Sequence, residues 1–236
     1  MKKIVLFAMG LVMSMTTFAQ DELTTTVSAD VVNQYIWRGQ ELGGTSFQPT
    51  LGIAYKGLSL SAWGSTGLTN PGDTREFDLT LSYTVGGFNI GVTDYWFTAG
   101  LDSLNRYFKY GAHGTNHVFE ANVGYDFGVA SLQWYTNFGG NDGVNKDGKR
   151  AYSSYFEMIV PFHLATLDWT AKAGTVPFAT DFYNGGTSGF AVTNVALKAT
   201  KDVRITDSFS VPVFAEVSAN PCTQHAYFVL GLTLIP

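Results

Sequence analysis

The strongest constraint in this chain of 236 residues is a strict alternation of apolar and polar side chains. It is clearest in the segment 76–85. Neighbouring side chains of a β-strand point to opposite faces, so this segment is a strand with one apolar and one polar face. About twelve such segments follow one another up to the C-terminus, which predicts an all-β chain. The apolar residues of segment 76–85 are Phe77, Leu79, Leu81, Tyr83 and Val85, and its polar residues are Glu76, Asp78, Thr80, Ser82 and Thr84.

The first 19 residues have the pattern of a secretion signal. Lys2 and Lys3 precede the apolar stretch 4–15, and the small-x-small sequence 17–19 offers a cleavage site. A transmembrane anchor is the competing interpretation, but the apolar stretch is short and acidic residues follow it at once. We therefore predict a signal peptide over 1–19 and a single domain over 20–236. The residue directly after the cut is Gln20 and not a cysteine, so a lipid-anchored form is not expected.

Composition limits the function classes. After residue 19 no apolar stretch approaches the roughly 20 residues of a spanning helix, so any membrane insertion must use strands. Charged residues make up 14% of the chain, below the roughly 25% of soluble domains. Once Lys2 and Lys3 are cleaved off, 19 acidic residues face 12 basic ones, which argues against nucleic acid as a partner. The single cysteine, Cys222, excludes an intrachain disulfide framework.

The connections between the segments alternate between short and long. Outer-membrane barrels have short periplasmic turns, longer outer loops and, with an even strand number, both termini in the periplasm. We therefore predict a single antiparallel transmembrane β-barrel of about twelve strands in the outer membrane of a Gram-negative bacterium, with the first strand over 24–37. The short turns are 56–57, 86–87, 126–128, 163–165 and 202–207, and the long loops are 38–46, 66–75, 98–116, 139–149, 176–189 and 218–223.

Aromatic residues cluster near the ends of the predicted strands, where the girdles of membrane barrels lie. Core aromatics of a soluble β protein would be the alternative. The residues are Tyr35, Trp37, Tyr95, Trp96, Phe97, Tyr125, Phe127 and Phe162.

The N-terminal region carries a more specific pattern. The segment 33–39, Asn-Gln-Tyr-Ile-Trp-Arg-Gly, is followed by Gln48-Pro49 and by the strand 58–63. Over 27–97 the chain resembles an uncharacterised family of Gram-negative outer-membrane proteins that opens with Tyr-x-Trp/Phe-Arg-Gly and continues in β-hairpins. The resemblance implies an outer-membrane location and assigns no catalytic residue. In size and strand number the chain is also similar to small oligosaccharide-specific porins, at the level of architecture alone.

The polar faces of the strands carry charge that must line water or be paired inside the barrel. Carboxylates outnumber lysines there, so an open interior would favour cations. A closed interior, filled by salt bridges and by hydrogen bonds of polar side chains, is the alternative. A barrel of twelve strands is intermediate in size between barrels filled by their side chains and open porins. The candidate lumen-lining residues are Asp30, Gln34, Arg38, Glu76, Asp78, Glu120, Glu157, Asp168, Lys172, Lys198 and Glu216; Gln48, Asn122 and Gln133 share the same faces.

The sequence gives no sign of an enzyme, a cofactor or a metal site. His113 and His117 with Glu120 have a spacing that would bind metal only on a helix, and this segment becomes a strand. The segment 141–148 is similar to a calcium loop but fails its ligand spacing, and it is better explained as a loop tip. Ser154 has no base visible in the sequence, so a lipid-face acyl hydrolase is the least favoured function.

The longest loop, 98–116, is too apolar to be freely solvated, because burying such side chains is favourable by about 1.5–3 kcal/mol each. We expect it to fold against the barrel mouth, with basic residues available to the carboxylates beneath; an exposed patch for a partner or lipopolysaccharide is the alternative. The candidate mouth residues are Arg106, Tyr107, Phe108, Lys109 and Tyr110, with Leu101 and Leu104 beside them.

Two functions follow from these patterns. The first is a narrow channel for small polar or cationic solutes, and the second is a non-conducting structural or surface-binding barrel. The predicted partners are outer-membrane lipid, lipopolysaccharide and, for the channel, a small polar solute. The sequence identifies neither the solute nor the oligomeric state.

Overall fold

The computed structural model describes residues 22–98, 105–111, 114–184, 189–207 and 209–236, and the predicted signal peptide lies outside this part of the chain. The described residues are almost entirely β-strand. The elements are β1 Thr24–Val32, β2 Tyr35–Trp37, β3 Gln40–Gly43, β4 Ser46–Tyr55, β5 Leu58–Gly67, β6 Arg75–Val85, β7 Phe88–Thr98, β8 His117–Asp126, β9 Ser131–Gly140, β10 Ser154–Leu164, β11 Leu167–Val176, α1 Asp181–Asn184, β12 Ala191–Arg204, β13 Ser210–Asn220 and β14 His225–Leu234.

Twelve of the described strands close into one antiparallel barrel, which confirms the predicted fold class. Each strand pairs with its neighbours in chain order, except that β2 and β3 form a separate two-stranded sheet, so β1 pairs with β4. The barrel closes where β1 meets β14, and the paired residues there run only from Ala29 with Leu234 to Val32 with Gly231. The connections 56–57, 86–87, 127–130 and 165–166 lie at one end, called here the short-turn end, and the long-loop end lies opposite.

The two faces of the barrel wall differ as the alternation predicts. The outer face carries a belt of exposed aliphatic side chains that includes Leu51, Ile53, Leu60, Leu79, Leu81, Ile90, Val92, Val123, Met158, Leu197, Val217 and Leu230. At the short-turn end, aromatic rings stack on the same face, with Phe162 on Trp169 at 6.1 Å and Tyr125 beside Phe127 at 4.7 Å. No helix in the described ranges is long and apolar enough to cross a membrane.

The first strand is shorter than the predicted 24–37. It ends at Val32 because only the N–H of Asn33 continues the ladder, donating to the Leu230 carbonyl at 3.0 Å, while its side chain takes the place of the next peptide group. The Asn33 amide donates to the Phe228 carbonyl at 3.1 Å, and its Oδ1 accepts from the Leu230 N–H at 2.7 Å. The Asn33 side chain therefore provides hydrogen-bond partners for the backbone groups at the edge of β14, while the main chain turns into the barrel.

The chain from 34 to 44 then forms the hairpin of β2 and β3, called here the plug hairpin. It returns to the wall at Thr45, whose hydroxyl lies 3.4 Å from the Asn33 carbonyl. The plug hairpin enters the barrel from the long-loop end. The short helix α1, in the predicted long loop 176–189, contributes Tyr183 to the same part of the interior.

Replacing Asn33 with alanine should weaken barrel closure. The variant loses both bonds to the edge of β14, each with a net value of about 1 kcal/mol, so we expect the free energy of unfolding to fall by about 1–2 kcal/mol. Urea unfolding of refolded protein, followed by heat-dependent gel mobility, measures this. The neighbouring Gln34→Ala is the control, because the Gln34 amide bonds Glu41 of the plug hairpin itself and, among the described residues, no wall strand. Equal losses in both variants would contradict the role given to Asn33.

Candidate functional site: the plugged interior

The tip of the plug hairpin is held directly against the barrel wall. Arg38 and Gly39 form a two-residue turn with φ values of 50° and 79°, the left-handed conformation that such tight hairpin turns require. A Cβ on Gly39 would lie 1.9 Å from the Thr193 carbonyl oxygen, so only glycine fits. The Asn220 side-chain amide donates to the Gly39 carbonyl at 3.0 Å. The tip is thus fixed to β12 and β13.

Arg38 makes a buried, bidentate ion pair with Glu120 of β8. The distances are 2.6 Å from Nη1 to Oε2 and 2.9 Å from Nη2 to Oε1, and the two side chains are 7% and 2% exposed. Tyr95 donates to Oε1 at 2.9 Å and Tyr183 to Oε2 at 3.2 Å. A carboxylate has about four acceptor sites, so Glu120 is fully bonded. The arrangement satisfies a charge that would otherwise be costly to bury.

Aromatic rings surround the guanidinium of Arg38. Its Cζ lies 4.0 Å from the ring centroid of Tyr135, 4.4 Å from that of Trp37 and 4.8 Å from that of Tyr155. Such contacts attract a cation through the negative faces of the rings. Tyr155 in turn fills the space over Gly174, where a Cβ would lie 1.8 Å from its hydroxyl oxygen. The tip is therefore enclosed on its sides as well as bonded at its end.

Two pKa shifts keep the charge states of this network fixed. Burial lowers the pKa of the Arg38 guanidinium, but the negative charge of Glu120 outweighs that effect, so the pKa lies above its usual value. Burial raises the pKa of the Tyr183 phenol well above its usual value. Arg38 therefore stays charged, and the Tyr183 hydroxyl keeps the proton that it donates to Glu120.

A second contact holds the base of the plug hairpin. The Tyr35 hydroxyl donates to Oε2 of Glu76 at 2.8 Å, and the Tyr35 ring packs against Trp63 at 5.6 Å. Asp78, the next inward residue of β6, is also buried, and its Oδ1 has no hydrogen-bond partner among the described residues.

A cluster of four charged residues lies on the other side of the interior. Lys172 donates to Glu216 at 3.3 Å, and the Thr233 hydroxyl donates to Asp30 at 2.6 Å. The Lys198 ammonium lies 3.7 Å from the ring centroid of Phe214. These groups border a cavity of about 110 Å³ beside the plug hairpin.

Most of the candidate lumen residues are brought together inside the barrel in these two clusters. We call Arg38, Glu120 and the aromatic rings around them the cage. Glu157 borders it and accepts from the Tyr155 hydroxyl at 2.9 Å. Gln34 is half-buried and bonds Glu41 within the hairpin at 3.1 Å. Asp168 lies apart from both clusters, at the short-turn rim, where it contacts His163 at 3.0 Å with 84% of its side chain exposed.

The apolar loop between β7 and β8 packs on the outside of the wall. Leu101, Leu104 and His113 lie outside the described residues. The ring of Tyr107 contacts those of Phe77 and Trp96 at 5.5 and 5.6 Å, on the outward face of the strands. Arg106, Phe108, Lys109 and Tyr110 are exposed. The cation that meets the interior carboxylates at this end is Arg38, which arrives on the plug hairpin.

His117 anchors this loop. Its Nδ1 lies 2.7 Å from Asp94, its Nε2 donates to the Tyr107 carbonyl at 2.5 Å, and Tyr110 stacks on its ring at 4.2 Å. Both ring nitrogens are thus used in holding the loop. His117 faces outward and Glu120 inward, so the two do not share a site.

Sequence reasoning missed the aromatic half of the cage. Tyr35, Trp37 and Tyr95, predicted as girdle residues, lie inside the barrel, and Tyr135, Tyr155 and Tyr183 join them. The available signal was position: Tyr95, Tyr135 and Tyr155 each fall on the polar face of an alternating strand. A large ring there indicates that something inside the barrel packs against it.

Comparison with known proteins adds no assignment. A scan against protein-family models gives no match to this chain, and a search of curated proteins finds none with significant similarity. The fold and the internal geometry define it as a twelve-stranded barrel that holds its own N-terminal hairpin inside.

Gly39→Ala should unseat the hairpin tip. Gly148 is the matched control, because its φ of 71° is also left-handed but nothing lies within 4 Å of a Cβ there. We expect Gly148→Ala to cost about 1–2 kcal/mol, the conformational penalty alone, and Gly39→Ala to cost at least about 2 kcal/mol more, the size of typical overpacking penalties. Urea unfolding of both variants tests this, and equal losses would contradict the seating of the tip.

His117→Ala should release the outer loop. Without the imidazole, the loop loses its bond at the Tyr107 carbonyl and the stacking on Tyr110, so trypsin should cut after Arg106 or Lys109 at least tenfold faster than in the unmodified protein. The digestion is done on refolded protein in detergent, with His225→Ala as the control. Unchanged cleavage would show that His117 does not anchor the loop.

Proposed function

We propose that this protein is an outer-membrane β-barrel whose passage is closed by its own plug hairpin, so that it is non-conducting in this conformation. The observation that carries the proposal is the position of Arg38, which lies within the barrel, bonded to Glu120 and surrounded by aromatic rings. Ions and solutes cannot pass this level unless the hairpin moves.

The outer surface supports the membrane location. Strands of nine to fourteen residues form the wall, and a tilted transmembrane strand needs about 9–11 residues. Its exposed belt is aliphatic, with aromatic rings towards the short-turn end, as in barrels that face lipid. A closed barrel leaves no unpaired edge along most of its length, which the membrane interior requires. In this proposal the short-turn end and both termini face the periplasm.

The closed interior bears on the channel hypothesis. An acidic lumen would favour cations if the carboxylates faced open water. Two of them, Glu76 and Glu120, are instead bonded to Tyr35 and Arg38 of the plug hairpin. The geometry therefore favours the non-conducting barrel, and the narrow channel remains a prediction for a state in which the hairpin is displaced.

The long-loop end supports a role at the cell surface. Arg106, Lys109 and Phe108 are exposed on the loop that covers His117, and Phe108 is 88% exposed. Basic and aromatic side chains at this height suit contact with lipopolysaccharide, whose phosphates attract cations. We propose lipid and lipopolysaccharide as the partners of this end, and we predict no catalytic activity.

Conductance across a planar bilayer tests the closure. Val32 pairs with Ser46, so deleting residues 34–44 leaves Asn33 and Thr45 as a two-residue hairpin loop, and Thr45→Gly gives the favoured Asn-Gly turn. We expect no steady current from the unmodified protein and a stable conductance from the deletion variant, with Gly148→Ala as a silent control. A steady open-pore current from the unmodified protein, or a folded deletion variant that stays silent, would overturn the proposal.

The location is tested separately by cell fractionation and heat-dependent gel mobility. We expect recovery in the outer-membrane fraction and a mobility shift on heating. Soluble protein in the periplasm, with no shift, would refute the membrane assignment.

A further inference from the structure

The cavity of about 110 Å³ beside the plug hairpin is lined by Lys198, whose ammonium has no ion-pair partner among the described residues, and by Asp78, whose Oδ1 accepts no hydrogen bond from them. Its walls come from β1, β4 to β6 and β11 to β14, with the plug hairpin along one side. Trp37 and Trp63 are part of the lining. The cavity is therefore enclosed by groups that could recognise both charge and a small apolar surface.

Lys198 is the first unpaired group. It stands directly opposite Glu216 in the pairing of β12 with β13, yet Glu216 bonds Lys172. The Lys198 ammonium rests on the ring of Phe214 at 3.7 Å. Lys198 is 6% exposed, and no carboxylate of the described residues lies within ion-pair distance. A buried ammonium without an anion is costly, so this site favours a ligand that brings one.

Asp78 is the second group, and a side-chain hydrogen bond joins its carboxyl to that of Glu76. It is 3% exposed, and its Oδ1 accepts no hydrogen bond from the described residues. Asp78 and Lys198 both line the cavity. An unsatisfied carboxyl oxygen favours a ligand with hydrogen-bond donors, and an ammonium group is the strongest match.

We propose that this cavity is a binding site for a small zwitterion of the α-amino-acid class, with its carboxylate on Lys198 and its ammonium on Asp78. The volume fits, because a cavity of about 150 Å³ holds benzene, and glycine has one non-hydrogen atom fewer than benzene. A ligand with only one of the two charges satisfies one of the two groups.

Entry is from the short-turn end. Below the cavity, the inward side chains are small and half-buried, among them Ser59, Ser61, Thr80, Ser82 and Asn122. The plug hairpin blocks the opposite approach. The site therefore binds solute from the side that the proposed orientation places in the periplasm, and it does so without any passage through the barrel.

Equilibrium dialysis of refolded protein in detergent with radiolabelled glycine tests the site, with tryptophan fluorescence as a second readout because Trp37 and Trp63 line the cavity. We expect saturable binding of glycine, at least tenfold tighter than that of acetate or methylammonium, each of which carries one of the two charges. The zwitterion site would be overturned if glycine showed no saturable binding, or if acetate or methylammonium bound as tightly as glycine. Without saturable binding, the cavity would hold only water.

Variants locate the binding. Lys198→Met and Asp78→Asn should each weaken glycine binding at least tenfold in protein that keeps its heat-dependent mobility. Lys201→Met, on the same strand but exposed, should leave binding unchanged. Unchanged binding in Lys198→Met, or an equal loss in Lys201→Met, would contradict the assignment. If the variants do not fold, the comparison of the three ligands on the unmodified protein still decides the question. Binding is measured without a bilayer, so its outcome is independent of the conductance result.

Discussion

The internal architecture depends on the buried ion pair between Arg38 and Glu120. Each charge is costly to desolvate alone, and the pair is stable because every acceptor site of the carboxylate is filled and aromatic rings enclose the guanidinium. Breaking such a pair typically costs about 3–5 kcal/mol. The pair also joins the N-terminal hairpin to β8, the fifth strand round the barrel from β1. It thus fixes the connection between two wall strands inside the barrel.

Other features of the chain follow from this insertion. Asn33 must leave the wall early, and it replaces the lost ladder bonds with its own side chain. Gly39 must lack a side chain, since the tip meets the carbonyl of Thr193. The inward faces of β7, β9 and β10 must carry rings rather than small polar residues at this level. Towards the short-turn end the lining returns to serine and threonine, because the hairpin does not reach there.

The wall could be predicted from the sequence, and the interior only in part. Alternation determines which residues of 76–85 face in or out, since a register error would turn every side chain to the wrong face. The same rule placed Glu76, Glu120 and Lys198 inside. It failed at Asn33, where a side-chain amide imitates a peptide group, and the strand was extended to Trp37. The partner of Glu120 was not predictable, because Arg38 lies 82 residues away and the contact depends on closure of the barrel.

A double-mutant cycle on Arg38 and Glu120 tests the central claim most directly. The free energies of unfolding of Arg38→Met, Glu120→Gln and the double variant are compared with that of the unmodified protein. We expect each single change to cost about 3–5 kcal/mol, because it leaves the other group buried without its partner. The double variant should lose at least about 2 kcal/mol less than the sum of the two. Additive losses, within about 0.5 kcal/mol, would show that the two residues do not interact and would contradict the plugged barrel.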